Sequence, residues 1–482
     1  MAGKQPNIVF ILCDNVGWGD FSCYGGQTPT PRIDKLASEG IRFNAYTTES
    51  QCCPTRTGLL TGRQSVRCGT YSVVPHVGLS GLVPWEYTIA ELLSDAGYAT
   101  SLFGKWHLGQ TEGRLPNDQG FDEWWGYKNS ADECGYSSYA TFRALAKKFG
   151  LDTPKLWQGK KGEKSQPVGE LDMKVRPLLD EQIVGKATDY IKRAAAGDKP
   201  FFTYIALSHV HPPEKAHPDF DQTDPTRLGL YADLMAEMDH RVGQIVDCVE
   251  QAGIADNTVV VFSSDNSTCV VPAFGFGGST GPWSGDFTRP PGEGSMRVPA
   301  VVRMPGTTAP RGVVSEEMLA CHDWYKTFAA LAGASDKVPT DRPMDGIDAS
   351  KFLLGQSPTT GRNTLLFFGG DGELMSIKAH NIKIWLRYCE GLDKPYVTPS
   401  FPMFFDLGSD PQEKYSLFND KLDCGWELAI ALKLQEEYEK SIETMPNIKP
   451  ATGDDFNGYG LVARGEHALE VKAEEKAGVQ PM

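Results

Sequence analysis

The stretch "NIVFILCDN", residues 7–15, holds six apolar residues in an unbroken row and then stops on an acid and an amide. A strand with one wet face alternates apolar and polar residues. An unbroken run instead marks a strand covered on both faces, as in a mostly parallel sheet between helix layers. The same signature recurs in "YATSLF" (98–103), "FFTYIAL" (201–207), "TVVVFS" (258–263) and "VPAVVRM" (298–304). Between these runs the apolar spacing turns helical over 31–39, 86–96, 179–195, 229–252 and 322–333. The alternation predicts a doubly wound α/β unit built on a large, mostly parallel or mixed sheet.

Further along, the character changes. "LGQSPTTGRNT" (354–364) reads as a boundary, "LMSIKAHNIKIWLRY" (374–388) as two strands joined by a turn at His380-Asn381, and 425–443 as an amphipathic helix. The expected division is a main domain over 1–360 and a smaller C-terminal domain over 361–482. The second would be an antiparallel sheet with one helix and a closing tail that wraps on the main body. The polar, lysine- and glycine-rich segment 151–175 reads as a surface excursion.

The 47 basic and 62 acidic side chains leave a net charge of −15, which argues against nonspecific attraction to nucleic acid or an anionic membrane. An anionic substrate must therefore be met by a local basic pocket. Six apolar residues before Asp14 are too few for a secretory core or a membrane span. The expectation is a soluble cytoplasmic protein, or a periplasmic or secreted one if a leader was removed. Eleven cysteines, an odd number without a C-x-x-C pair, suit a reducing compartment and read mostly as small buried hydrophobes.

In open α/β sheets functional groups gather beyond the carboxyl ends of strands. Two such ends carry acid–amide pairs, Asp14-Asn15 and Asp265-Asn266. Either pair alone reads as a turn or helix cap, but two at like places form an oxygen cage suited to Ca²⁺ or Mg²⁺. "GKWHLG" (104–109) places Lys105 and His107 on one side if its strand persists, and "LSHVHPP" (207–213) offers His209 and His211. Cations at several strand ends beside a metal describe a site for an anion. In "SQCCPTRTGLLTGR" (50–63), Pro54 suits the first turn of a helix, whose exposed amides favour negative charge. Arg56 can reach back over that turn, and a cysteine there would have a lowered pKa and could act as an ordinary nucleophile.

"CCPTRTGLLTGR", from Cys52 to Arg63, resembles the type I sulfatase signature C-x-P-[ST]-R-x(4)-T-G-R, with Cys52, Pro54, Thr55, Arg56, Thr61, Gly62 and Arg63 each in place. "PNIVFILCDNVGWGDFSCYGG", "TPTPRIDKLASEGIRF", "GKWHLG", "QGFDEWWGY", "NTVVVFSSDN", "RVPAVVRMPG" and "FFDLGSDPQEKYSLF" follow in the family's order. The resemblance implies an alkaline phosphatase-like fold and hydrolysis of a small-molecule sulfate monoester, an aryl sulfate or similar. It implies that a formylglycine-generating enzyme oxidises Cys52 to formylglycine. One hydroxyl of its hydrate attacks sulfur, and the other lets the intermediate collapse and expel sulfate. By the same resemblance Asp14, Asn15, Cys52, Asp265 and Asn266 form the sphere of a Ca²⁺ ion, with Mg²⁺ or Mn²⁺ as alternatives. Asp265 accepts the nucleophile's proton, Arg56 and Lys105 hold the diol and sulfate charge, His107 assists collapse of the diol, and His211 protonates the leaving oxygen. Ser130 is a further sulfate contact.

Two positions depart from the family pattern. Asn15 stands where a second aspartate is usual, which removes one negative charge from the cage. The lysine that usually precedes "EGG-x-R" falls on Thr288 in "GDFTRPPGEGSMRVPA", so a second cation on the leaving group is missing or is supplied by Arg289. A phosphonate monoester or phosphodiester hydrolase could use the same nucleophile. A noncatalytic binder of sulfated ligands is the other alternative, and the joint presence of Cys52, Arg56, His107 and His211 argues against it. Residues 71–87 with Trp124, Trp125, Tyr127 and Phe274 could wall an apolar substrate pocket, or simply pack in the core.

Overall fold

Alternate residues of the first strand, β1 (Asn7–Cys13), enter two separate cores: Ile8, Phe10 and Leu12 lie on one side of the sheet, and Val9, Ile11 and Cys13 on the other. That two-sided burial is what the unbroken apolar run requires. The computed structural model describes residues 5–73, 80–223, 229–269, 277–287, 289–306, 309–391, 394–418 and 425–450. The strands that follow are β2 (Ile41–Phe43), β3 (Tyr46–Thr47), β4 (Ala99–Lys105), β5 (Glu123–Tyr127), β6 (Lys155–Lys160), β7 (Gln166–Glu170), β8 (Phe201–Ala206), β9 (Thr258–Ser264), β10 (Ala300–Arg303), β11 (Val313–Ser315) and β12 (Leu319–Ala320).

One mixed sheet runs in the order β11-β2-β10-β9-β1-β8-β4-β5-β6-β7. Its centre, β9-β1-β8-β4-β5, is entirely parallel, so the carboxyl ends of these strands share one edge. Helices Pro31–Ser38, Leu179–Ala195 and Leu230–Gln251 cover the face of Val9 and Ile11, and Cys52–Thr61, Ile89–Asp95 and Asp323–Leu331 cover the other. Helix Ile89–Asp95 starts later than the periodicity predicts because Thr88 and Glu91 form a capping box. Thr88 Oγ1 accepts from the Glu91 N–H at 3.1 Å, and Glu91 accepts from the Thr88 N–H at 2.8 Å.

The segment expected to be a surface excursion instead contains β6 and β7, a hairpin that extends the sheet past β5. Its lysines suit a sheet edge, where charge discourages pairing with another chain, and β7 is exposed along its whole length. Beyond residue 360, β13 (Thr364–Phe368), β14 (Leu374–Ala379), β15 (Ile382–Trp385) and β16 (Met403–Asp406) form an antiparallel sheet, with His380 at φ 50° in the turn between β14 and β15. Helix Gly425–Thr444 packs Ala431 against Ile377, Ile384 and Phe404 of that sheet. The predicted tail, 451–482, lies outside the described residues. Among the described residues the cysteines are free, all but Cys23 are buried, and no helix is long and apolar enough to cross a membrane.

Candidate active site

Four neighbouring strand ends converge on one buried cluster. Asp14 and Asn15 follow β1, Asp265 and Asn266 follow β9, Lys105 ends β4, and the segment carrying His211 follows β8. The Asn15 N–H donates to Asp265 Oδ1 at 3.2 Å, and Asn266 Nδ2 donates to Asn15 Oδ1 at 2.6 Å, joining the two acid–amide pairs. Asn15 takes the left-handed conformation, φ 61°, which asparagine tolerates better than most residues and which turns the chain sharply at the strand end. Lys105 Nζ lies 2.7 Å from Asp14 Oδ2. Both side chains are fully buried, as are Arg56 and Asp265.

Helix Cys52–Thr61 presents its first residue to this cluster. Cys52 Sγ is 3.7 Å from Asp14 Oδ1 and 3.9 Å from Asn15 Oδ1. Every residue of the helix is buried, and Gly62, at φ 67°, ends it in the left-handed conformation that glycine adopts at little cost. Arg56 does not fold back over the first turn. It crosses to β9, where Nη2 and Nε donate to Asp265 Oδ2 at 2.7 and 3.1 Å, and Nη1 donates to the Lys105 carbonyl at 3.0 Å. The rest of the Cys52–Arg63 pattern is scaffolding: Thr55 Oγ1 accepts from the Glu49 N–H at 3.0 Å, Thr61 donates to the Thr57 carbonyl at 2.8 Å, and Arg63 pairs with buried Glu86.

The electrostatics overturn one expectation. Burial pushes the Cys52 thiol well above its ordinary value, with Asp265 and Asp14 adding to the rise, and the helix mouth with Lys105 and Arg56 does not reverse it. An unmodified Cys52 is therefore held as a thiol. Burial also opposes ionisation of both carboxyls, but Lys105, His211 and Arg56 bring Asp14 below the usual range, whereas the charge of Asp14 adds to burial and raises Asp265. Burial lowers His211 despite the nearby Asp14.

The remaining expected residues sort into three groups. Ser130 Oγ lies 3.1 Å from His211 Nε2, while His211 Nδ1 lies 2.8 Å from the Pro212 carbonyl, so the serine sits against the imidazole. β4 ends at Lys105, and His107 follows in the left-handed region at φ 60°, buried, with its N–H on the Lys128 carbonyl at 2.8 Å; the strand does not persist to place it by alternation. Arg289 is exposed, outside the buried cluster, with its N–H on the Asp286 carbonyl at 3.0 Å; Thr288 lies outside the described residues. Trp124, Trp125 and Tyr127 are buried in the two main cores, so core packing accounts for them; Phe274 and residues 74–79 lie outside the described residues. Sequence reasoning missed Tyr204, whose oxygen accepts from Arg56 Nη1 at 3.3 Å, and Arg176, which ties down the chain around His211.

The cluster suits a hard cation. Asp14, Cys52 and His211 each offer a ligand atom within 4.8 Å of one another, Asn15 Oδ1 lies 3.9 Å from Cys52 Sγ, and Asp265 and Asn266 are hydrogen-bonded to Asn15. Asn266 Oδ1 is buried without a hydrogen-bond partner, which a bound cation would satisfy.

With this geometry in place, comparison with known proteins is decisive: the family model described as Sulfatase matches residues 6–334. The chain belongs to the sulfatase family. It is 33% identical over 453 residues to the N-acetylgalactosamine-6-sulfatase of Canis lupus familiaris, across 86% of this chain and 82% of that protein. It is 34% identical over 447 residues to arylsulfatase G of Homo sapiens, across 86% and 83% of the two chains. Among solved structures, the PsFucS1 sulfatase from Pseudoalteromonas sp. superposes with a TM-score of 0.85 at 28% identity, covering 93% of this chain and 92% of that one. This sulfatase has the alkaline phosphatase-like fold of its structural neighbours, and its reaction is hydrolysis of a sulfate ester.

Proposed function

We propose that this sulfatase hydrolyses a small-molecule sulfate monoester, such as an aryl sulfate, after a formylglycine-generating enzyme has converted Cys52 to formylglycine. The observation that carries the reading is the placement of Cys52 Sγ, 3.7 Å from Asp14 Oδ1 and 3.9 Å from Asn15 Oδ1 at the mouth of a buried helix. The hydrated formylglycine supplies a nucleophilic hydroxyl and a second one that allows sulfate to be expelled without attack by water on a sulfated enzyme. Asp14, Asn15, Asp265, Asn266 and the matured residue 52 would hold a divalent cation, Ca²⁺ by its preference for oxygen donors, with Mg²⁺ or Mn²⁺ as alternatives. Bound there, that cation would supply charge stabilisation at the nucleophile and the sulfate.

The chain's own groups divide the remaining work. Asp265, its carboxyl raised by burial and Asp14, accepts the nucleophile's proton. Arg56 and Lys105, each already bound to a buried carboxylate, bring positive charge to a place from which water is largely excluded, where it acts most strongly on a sulfate. His107 assists collapse of the diol. His211, half-buried at the edge of the cluster and lowered by burial in the free site, takes up a proton as the sulfate's negative charge favours its imidazolium form and delivers it from Nε2 to the leaving oxygen, with Ser130 against the same nitrogen. Arg289, exposed, would bring a further cation to the alcohol half of the substrate in place of the lysine usual at position 288.

Initial rates on an aryl sulfate and on the matching aryl phosphonate monoester test the assignment. The sulfate is expected to be the better substrate by kcat/KM, and a preference for the phosphonate would overturn it.

A further inference from the structure

The segment that carries His211 has little regular structure to hold it. It follows β8, and Pro212 and Pro213 contribute no backbone N–H. Its carbonyls converge instead on one side chain. Arg176, fully buried just ahead of helix Leu179–Ala195, donates from Nη2 to the His211 carbonyl at 2.7 Å and from Nε to the Pro213 carbonyl at 2.9 Å, while Nη1 donates to Ser208 Oγ at 2.9 Å. Asp180, on the first turn of that helix, secures the same segment from the other side by accepting from the Ser208 N–H at 2.7 Å and from the Ser208 hydroxyl at 3.1 Å. A planar guanidinium with several fixed donors spans three residues in a way that a lysine ammonium does not.

We infer that Arg176 is a positioning residue for leaving-group protonation: it acts through His211, setting where Nε2 stands relative to the departing oxygen. The inference rests on the role proposed above for His211. It makes a distinction that a merely structural residue would not, because a substrate whose leaving group is already a stable anion needs little protonation, while a more basic one depends on it. An ångström-scale displacement of a catalytic group costs up to about a hundredfold in rate.

The test measures kcat and KM on 4-nitrophenyl sulfate and phenyl sulfate for the wild type, Arg176→Lys, His211→Ala and the double variant. Arg176→Lys is expected to lower kcat on phenyl sulfate by roughly tenfold more than on 4-nitrophenyl sulfate, His211→Ala to show the same selectivity more strongly, and the double variant to be no more selective than His211→Ala. Equal losses on the two substrates in Arg176→Lys, with His211→Ala still selective, would overturn the inference and leave the role of His211 standing. Equal losses in His211→Ala would overturn both. Should Arg176→Lys not fold, Ser208→Ala, which removes one partner of the guanidinium, carries the same test: a smaller selective loss on phenyl sulfate supports the inference, and an unselective one overturns it.

Discussion

At residue 52 two effects compete, and their sizes decide the chemistry. A cysteine at a helix N-terminus beside two cations would ordinarily be a thiolate. Here burial and two nearby carboxylates outweigh the cations, so the free thiol is a poor nucleophile in place. The proposed conversion to an aldehyde hydrate would remove the need for a thiolate. A Cys52→Ser variant separates attack from release: its hydroxyl can accept a sulfuryl group but offers no second hydroxyl to expel it. The expected result is at most one equivalent of phenol released per enzyme from an aryl sulfate, followed by no turnover, read in a stopped assay. Sustained turnover by this variant would contradict the diol mechanism. The convergence of the candidate residues at strand ends was legible in the sequence because Asp-Asn after an apolar run and C-x-P-x-R at a helix start are local patterns. Tyr204 was not, because a tyrosine inside the apolar run "FFTYIAL" reads as core until Arg56 is seen to reach it from another element.

Elements were legible where their signal was periodic, and missed where the tertiary setting decides. The five apolar runs all became strands, but "KLWQGK" was obscured by a lysine- and glycine-rich setting that suits both a loop and an exposed edge. Arg176 lies in "MKVRPLLD", between the segment read as a surface excursion and the helix read over 179–195, and nothing local shows that two carbonyls and a hydroxyl from residues 208–213 await it. The same connection contains His209, fully buried between Asp180 Oδ2 at 2.5 Å and Glu237 Oε2 at 2.8 Å. Burial opposes its charge, but the two carboxylates outweigh burial and raise it to about 9. A histidine raised on folding stabilises fully below its unfolded value of about 6.5 and loses that contribution as pH climbs toward the folded value. Wild-type stability should therefore fall by about 3 kcal/mol as pH climbs through that range, and His209→Gln should lack that part of the slope. Denaturant melts across the range check this, and an identical slope in the variant would dismiss His209 as its source.

At the scale of the molecule, the two sheets meet through buried charge. Glu293, in the short helix Glu293–Met296, pairs with Lys378 of β14, with Lys383 of β15 at 3.0 Å and with Arg297 at 3.2 Å, and all four side chains are buried. The backbone around it is tied on both sides. Glu413 accepts from the Glu293 N–H at 2.6 Å, and the Met296 carbonyl accepts from the Thr48 N–H at 2.8 Å, four residues ahead of Cys52. Removing one charge from such a network strands the others, so Glu293→Gln should cost about 3–5 kcal/mol in equilibrium unfolding. A loss below about 1 kcal/mol would show that the network contributes little to joining the sheets. The change of character near residue 360 was visible in composition, but the partners of Glu293 were not. Lysines 378 and 383 alternate with apolar residues in the two strands read over 374–388, and that local pattern does not name the carboxylate of the main body that lets them be buried.

All of this converges on the state of one side chain. Protein purified from its native host in active form, digested with trypsin and analysed by mass spectrometry, should yield the peptide containing Cys52 with a formyl group in place of the thiol methylene, and the modified fraction should rise and fall with specific activity. An unmodified cysteine at position 52 in fully active protein would contradict the account.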